Sequence, residues 1–149
     1  MNTNVIEPQK TTQIEKVVYT GKTHTTGGRD GGSSRSSDGN LDIKLTTPGK
    51  PEPGTNTEQL FAAGWSACFI GAMRIVAGKM KVRFPENGAV DAEVDLNAGA
   101  DGYFLSARLN VSLPGIDREV AEAIVAGAHQ VCPYSKATRG NLNVEFALV

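Results

Sequence analysis

The chain has 149 residues, 40% hydrophobic and 21% charged, the composition of one soluble globular domain with a real core. Fifteen Lys and Arg stand against sixteen Asp and Glu, a net charge of −1. Nucleic acid and anionic membranes, which call for a basic surplus, are therefore not expected as main partners. Residues 1–13 are polar and patternless and read as a flexible arm, leaving 14–149 as a single domain. The arm has no apolar stretch of the secretory kind, and the longest uncharged run, Gln59 to Met73, has 15 residues, short of the ~20 of a spanning helix. A cytoplasmic location is the expectation.

From Ile14 the β-branched segment IEKVVYT predicts a strand, and Lys22 to Thr26 a second. Residues 27–40, GGRDGGSSRSSDGN, read as a loop, and Leu41, Ile43 and Leu45 as a half-buried strand that stops before Pro48. Asn56 or Thr57 caps a helix over 58–80, EQLFAAGWSACFIGAMRIVAGKM. This helix is apolar almost all round, with small residues at Ala62, Ala63, Gly64, Ala67, Gly71 and Ala72. So short a chain covers such a helix with difficulty, which points to a partner subunit. Val90 to Leu96 predicts a strand, and Tyr103, Leu105, Ala107, Leu109, Val111 and Leu113 alternate on one face of another, in an antiparallel pattern. Asp117 caps a second helix with a Val120, Ile124, Ala128, Val131 stripe, which ends at Cys132 because a residue before proline leaves the α region. Leu142, Val144, Phe146 and Leu148 make a terminal strand. Strands and helices are segregated, so the fold class is α+β.

Several motifs fail. Gly21-Lys22-Thr23 ends like a phosphate-binding loop, but Lys16 stands where the loop's first glycine belongs. His24, His129, Cys68 and Cys132 are zinc-ligand types without zinc-site spacing, and no CxxC is present.

The two cysteines, Cys68 and Cys132, leave three readings: buried core residues, a structural disulfide, or reactive thiols. A reducing compartment disfavours the disulfide. Burial among Trp65, Phe69 and Ile70 raises the pKa of Cys68, so a nucleophilic thiolate there needs a cation. Arg29, in the glycine-rich loop, is the best-placed cation by type, with Glu58 as its counter-charge. Ten residues of helix separate Glu58 from Cys68 by roughly 15 Å. Either Arg29 spans that gap, or the Arg–Glu pair of one subunit meets the Cys of another; the second reading is favoured, since the apolar helix already asks for a dimer. Phe61, Trp65, Phe69, Met73 and Tyr134 are candidates for an apolar substrate channel, with core packing as the alternative.

The segments TGGRDG (26–31), GTNTEQLFAAGWSACFIGA (54–72) and VCPYSKATRGN (131–141) resemble the organic hydroperoxide resistance family within the OsmC/Ohr group. The resemblance spans nearly all of Ile14 to Val149. It implies an intertwined α+β homodimer, antiparallel sheets around long central helices, and two sites at the interface. It further implies Cys68 as peroxidatic cysteine, Cys132 as resolving cysteine, Arg29 and Glu58 as their charged partners, and no bound cofactor. The implied substrates are organic hydroperoxides, and the implied reductant is a lipoyl dithiol on a lipoylated protein. A non-catalytic binder of apolar ligands, a redox sensor and a broader OsmC-type peroxidase are the competing readings.

Overall fold

A computed structural model describes residues 4–149; residues 1–3 of the expected arm lie outside it, and residues 4–13 are exposed and without regular structure. The chain order is β1 (Thr23–Thr26), β2 (Ser33–Ser36), β3 (Asp42–Lys44), α1 (Thr57–Lys79), β4 (Ala89–Gly99), β5 (Gly102–Ser112), α2 (Arg118–Val131), α3 (Pro133–Thr138) and β6 (Asn143–Leu148). The strands form two three-stranded sheets, β1-β2-β3 and β4-β5-β6.

In the second sheet β4 and β5 form a long antiparallel hairpin, from Ala89↔Ser112 to Gly99↔Gly102. The alternation along β5 does what its pattern predicts: Ala107, Leu109, Val111 and Leu113 are buried, while Arg108 and Asn110 carry polar contacts on the other face. Tyr103 shares the inward parity but lies at the hairpin tip, 80% exposed, where nothing in the chain covers it. The sheets are antiparallel, as expected, except at β6, which joins β5 in parallel. Two helices lie between β5 and β6, long enough to return the chain to the same end of the sheet.

Helix α1 begins where its cap predicts: the Asn56 side chain accepts from the Gln59 N–H at 2.8 Å. Its inner face buries Trp65, Phe69, Ala72, Met73 and Ala77 against β4, α2 and α3. Phe146 stacks on Phe69 with ring centroids 5.1 Å apart and meets Trp65 edge-on. The opposite side of α1 stays uncovered, with Ala63, Ala67, Gly71, Ile75 and Gly78 exposed, so the helix is not buried on most faces within one chain. By length and composition α1 would cross a membrane, yet here it is the spine of the core.

Three further expectations are revised. Ile14–Thr20 forms no strand and lies exposed, because β-branched residues make a strand only beside another strand, and none runs alongside. The loop over 27–40 contains β2, which pairs with β1 from Thr23↔Ser36 to Thr26↔Ser33; Ser34 turns inward and shares a 2.8 Å hydrogen bond with Thr25. Helix α2 starts after Asp117, whose side chain makes no capping bond, and its buried stripe is Ala121, Ile124, Val125 and Ala128, with Val131 left at the edge.

Candidate active site

Cys68 sits in the middle of α1, one turn beyond Gly64, and is half-buried. Cys132 is fully buried at the junction of α2 and α3. Its backbone belongs to both helices: its N–H closes α2 on the Ala128 carbonyl at 2.8 Å, and its carbonyl accepts from the Lys136 N–H at 2.9 Å. Between these bonds the residue is extended, φ −63° and ψ 124°, as the following Pro133 demands. This break carries the thiol to Cys68. The two Sγ atoms are 3.6 Å apart, the Cys132 thiol donating to Cys68, and both cysteines are free.

Burial pushes the Cys68 thiol up from its ordinary value, and Cys132 adds to that push as a neighbouring acid. The Tyr134 backbone N–H works the other way, favouring the thiolate. Short helix α3, absent from the sequence reading, is therefore part of the site. Its signal was present in Cys132-Pro133, since proline is at home in the first turn of a helix as well as after one.

Arg29 and Glu58 come together across 29 residues of sequence. Nη1 and Nη2 of Arg29 donate to Oε1 and Oε2 of Glu58 at 3.3 and 3.2 Å, a two-pronged pair. Gly28 and Gly31, with φ of +68° and +88°, turn the loop that presents Arg29. Burial pushes the Glu58 carboxyl up, but its own backbone N–H, the Thr57 hydroxyl and Arg29 together hold it below the usual carboxylate range. The pair lines a cleft of about 450 Å³ whose apolar wall includes Ala62, Ala92, Val94 and Leu96. Neither cysteine is among the residues lining this cleft, and among the described residues no hydrogen bond or ion pair ties Arg29 to Cys68.

Of the expected channel residues, Trp65, Phe69 and Met73 are fully buried in the core. Phe61 and Tyr134 lie at its rim, edge to face with centroids 6.2 Å apart, Tyr134 being 38% exposed. Among the described residues no group of three or more His, Cys, Asp or Glu is close enough to hold a metal ion.

Within one chain, then, two neighbouring thiols and an arginine–carboxylate pair are each fully assembled but not joined. The family model for OsmC-like protein matches residues 47–147. An organic hydroperoxide resistance protein of Xanthomonas axonopodis pv. citri is 46% identical over 138 residues, 90% of this chain and 96% of that one. OhrB of Bacillus subtilis, also named for organic hydroperoxide resistance, is 39% identical over 136 residues, 88% of this chain and 98% of that one. Its crystal structure superposes with a TM-score of 0.84, covering 89% of this chain and 100% of that one. A Legionella pneumophila organic hydroperoxide resistance protein follows with a TM-score of 0.83 at 41% identity, covering 89% and 98%.

Proposed function

The chain belongs to the OsmC-like family, among its organic hydroperoxide resistance members, and from that premise we propose that it is a cysteine peroxidase that reduces organic hydroperoxides to alcohols. The observation that carries this reading is the 3.6 Å separation of two free thiols, one half-buried and one buried behind it.

The Cys68 thiolate attacks the terminal oxygen of ROOH. The O–O bond breaks, the alcohol leaves with a proton, and the sulfur becomes a sulfenic acid. The Cys132 thiol then displaces hydroxide from that sulfur, giving water and a Cys68–Cys132 disulfide before a second peroxide overoxidises Cys68. The proximity of the two sulfurs in the reduced state supports this step, since a resolving thiol already in contact needs no search. An external dithiol reopens the disulfide by exchange; a lipoyl group on a lipoylated protein is the reductant proposed, with no bound cofactor.

The thiolate is the difficult part, because burial disfavours it. The Tyr134 N–H supplies part of the offset, and Arg29 the rest, its orientation fixed by Glu58. The pair does not reach Cys68 within its own chain, and the outer stripe of α1 is uncovered. Both features support a homodimer in which the Arg29–Glu58 cleft of one protomer meets the cysteines of the other. The apolar cleft wall and the Phe61–Tyr134 rim suit an alkyl chain, each buried methylene favouring organic hydroperoxides over hydrogen peroxide by ~0.8 kcal/mol. A reducing cytoplasm is the compartment in which such a dithiol is regenerated.

The test is a free-thiol count on the reduced protein before and after one equivalent of an alkyl hydroperoxide. Rapid loss of both thiols without intermolecular cross-linking supports the reading. Two surviving thiols refute it and leave a non-catalytic binder of apolar ligands. Cys68→Ser abolishes the reaction; Cys132→Ser permits one oxidation and then stalls, and sustained turnover by that variant rejects Cys132 as the resolving thiol.

A further inference from the structure

Gly64 lies one turn before Cys68 on α1 and faces α3. A β-carbon there would stand 2.7 Å from the Tyr134 hydroxyl oxygen and 3.2 Å from the ring carbon that bears it. The phenol therefore rests on the bare backbone of α1, with Phe61 one turn earlier closing on it edge-on. Tyr134 is the second residue of α3, and the helix behind it is stiff. Pro133 fixes its first turn, and the Thr138 hydroxyl bonds to the Tyr134 carbonyl at 2.9 Å. The same six-residue helix carries two things to Cys68: the Tyr134 N–H and, through its capping residue, the Cys132 thiol.

We infer that Gly64 is a positioning residue for the thiol pair: its missing side chain is the seat of the Tyr134 ring, and that seat sets where α3 presents its N–H and Cys132 to Cys68. The ring is the movable partner in this contact, since the close atom is the far end of a side chain and not backbone. A methyl group at 64 therefore unseats the ring and removes the contact that braces α3 against α1, and leaves α1 intact, alanine being the better helix former. The inference rests on Cys68 as the reacting thiol, but its test does not depend on peroxide.

The test is the pH dependence of Cys68 alkylation by iodoacetamide in the full chain, with the modified cysteine located by peptide mass. Cys132 is the titratable group that faces Cys68, and it is retained in every variant. Gly64→Ala is expected to slow alkylation at pH 8 by about tenfold, the effect of loosening one hydrogen bond to a charged group, and to move the midpoint upward. In a Tyr134→Phe background, which lacks the atom nearest the new methyl, the same substitution has a markedly smaller effect. Tyr134→Ala, which empties the seat with Gly64 in place, raises the midpoint as well and serves if Gly64→Ala folds poorly. An unchanged midpoint in Gly64→Ala or in Tyr134→Ala overturns the inference, as does an equal Gly64→Ala effect with Tyr or Phe at 134. Variants that show this pattern, beside a wild-type chain that consumes no hydroperoxide, refute the peroxidase and leave the positioning role standing.

Discussion

Two of the arginine–carboxylate groupings among the described residues, Arg108 with Asp95 and Glu93 and Arg29 with Glu58, differ in ways that bond lengths do not show. Arg108, on β5, binds Asp95 at 2.6 and 2.9 Å, tighter than the 3.2 and 3.3 Å of Arg29 and Glu58, and also binds Glu93 at 3.2 Å. But Glu93 is the direct cross-strand partner of Arg108, so sheet register alone brings them together on the polar face. Arg29 reaches Glu58 from another part of the fold, over a cleft, and the Glu58 side chain is 14% exposed against 41% for Asp95. The short bonds belong to solvent-facing neighbours; the longer ones join a glycine-turned loop to the start of the cysteine helix. Placement, more than tightness, is what supports the catalytic role proposed for the second pair.

Five experiments sharpen that contrast. Arg29→Ala is expected to slow the reaction of Cys68 with an alkyl hydroperoxide by roughly a hundredfold, the scale for losing one preorganised charged donor. In the same variant the midpoint of Cys68 alkylation rises, because burial then acts on the thiol with less to oppose it; stopped-flow oxidation and a pH series check both. Glu58→Gln keeps the shape but frees the guanidinium to wander, and a loss of about tenfold is expected, short of the Arg29→Ala effect. An equal or larger loss would mean that the carboxylate acts directly.

Acid separates the clusters less than salt does. Hydrogen bonding by Arg108 depresses Asp95, and Glu58 is also depressed in the folded chain. A depressed carboxylate adds stability above its unfolded pKa, near 4, and that contribution disappears as pH falls through the lower folded value. Both pairs therefore weaken only at strongly acidic pH, which a melting series below pH 5 reads. At 1 M salt, where screening acts over ~3 Å, the exposed Arg108 cluster loses strength first. The smallest effect is that of Arg108→Ala, expected to leave the peroxidase rate within about twofold. A large rate loss there would erase the distinction drawn above.

Much of this was legible in the residues, where local physics decides. The Asn56 cap, the alternation along β5 and the break at Cys132-Pro133 each depend on neighbours in sequence, and each stands as predicted. The Arg29–Glu58 pair was legible for a different reason: a half-buried arginine needs an acid, and the start of α1 offers one. What escaped depends on contacts made at a distance. Ile14–Thr20 has the residues of a strand but no neighbour, β2 lies within a serine-rich stretch that reads as loop, and the parallel pairing of β6 follows from how two helices return the chain. Trp65 and Phe69 have the chemistry of channel walls and the position of core, because Phe146 arrives from β6 to cover them.

Cys132 has been described as a bend between two helices, yet its bond to Cys68 would also redraw the covalent map of the chain. The two residues are 64 apart, so the disulfide closes a ring that carries β4, β5 and α2 and most of the core. A ring of that size removes unfolded-state freedom worth about 4 kcal/mol in the chain-entropy model. Oxidation would thus record each catalytic event as a stiffer molecule, and reduction would return it to a chain that unfolds more easily; the melting temperature alone would report which half of the cycle the protein occupies.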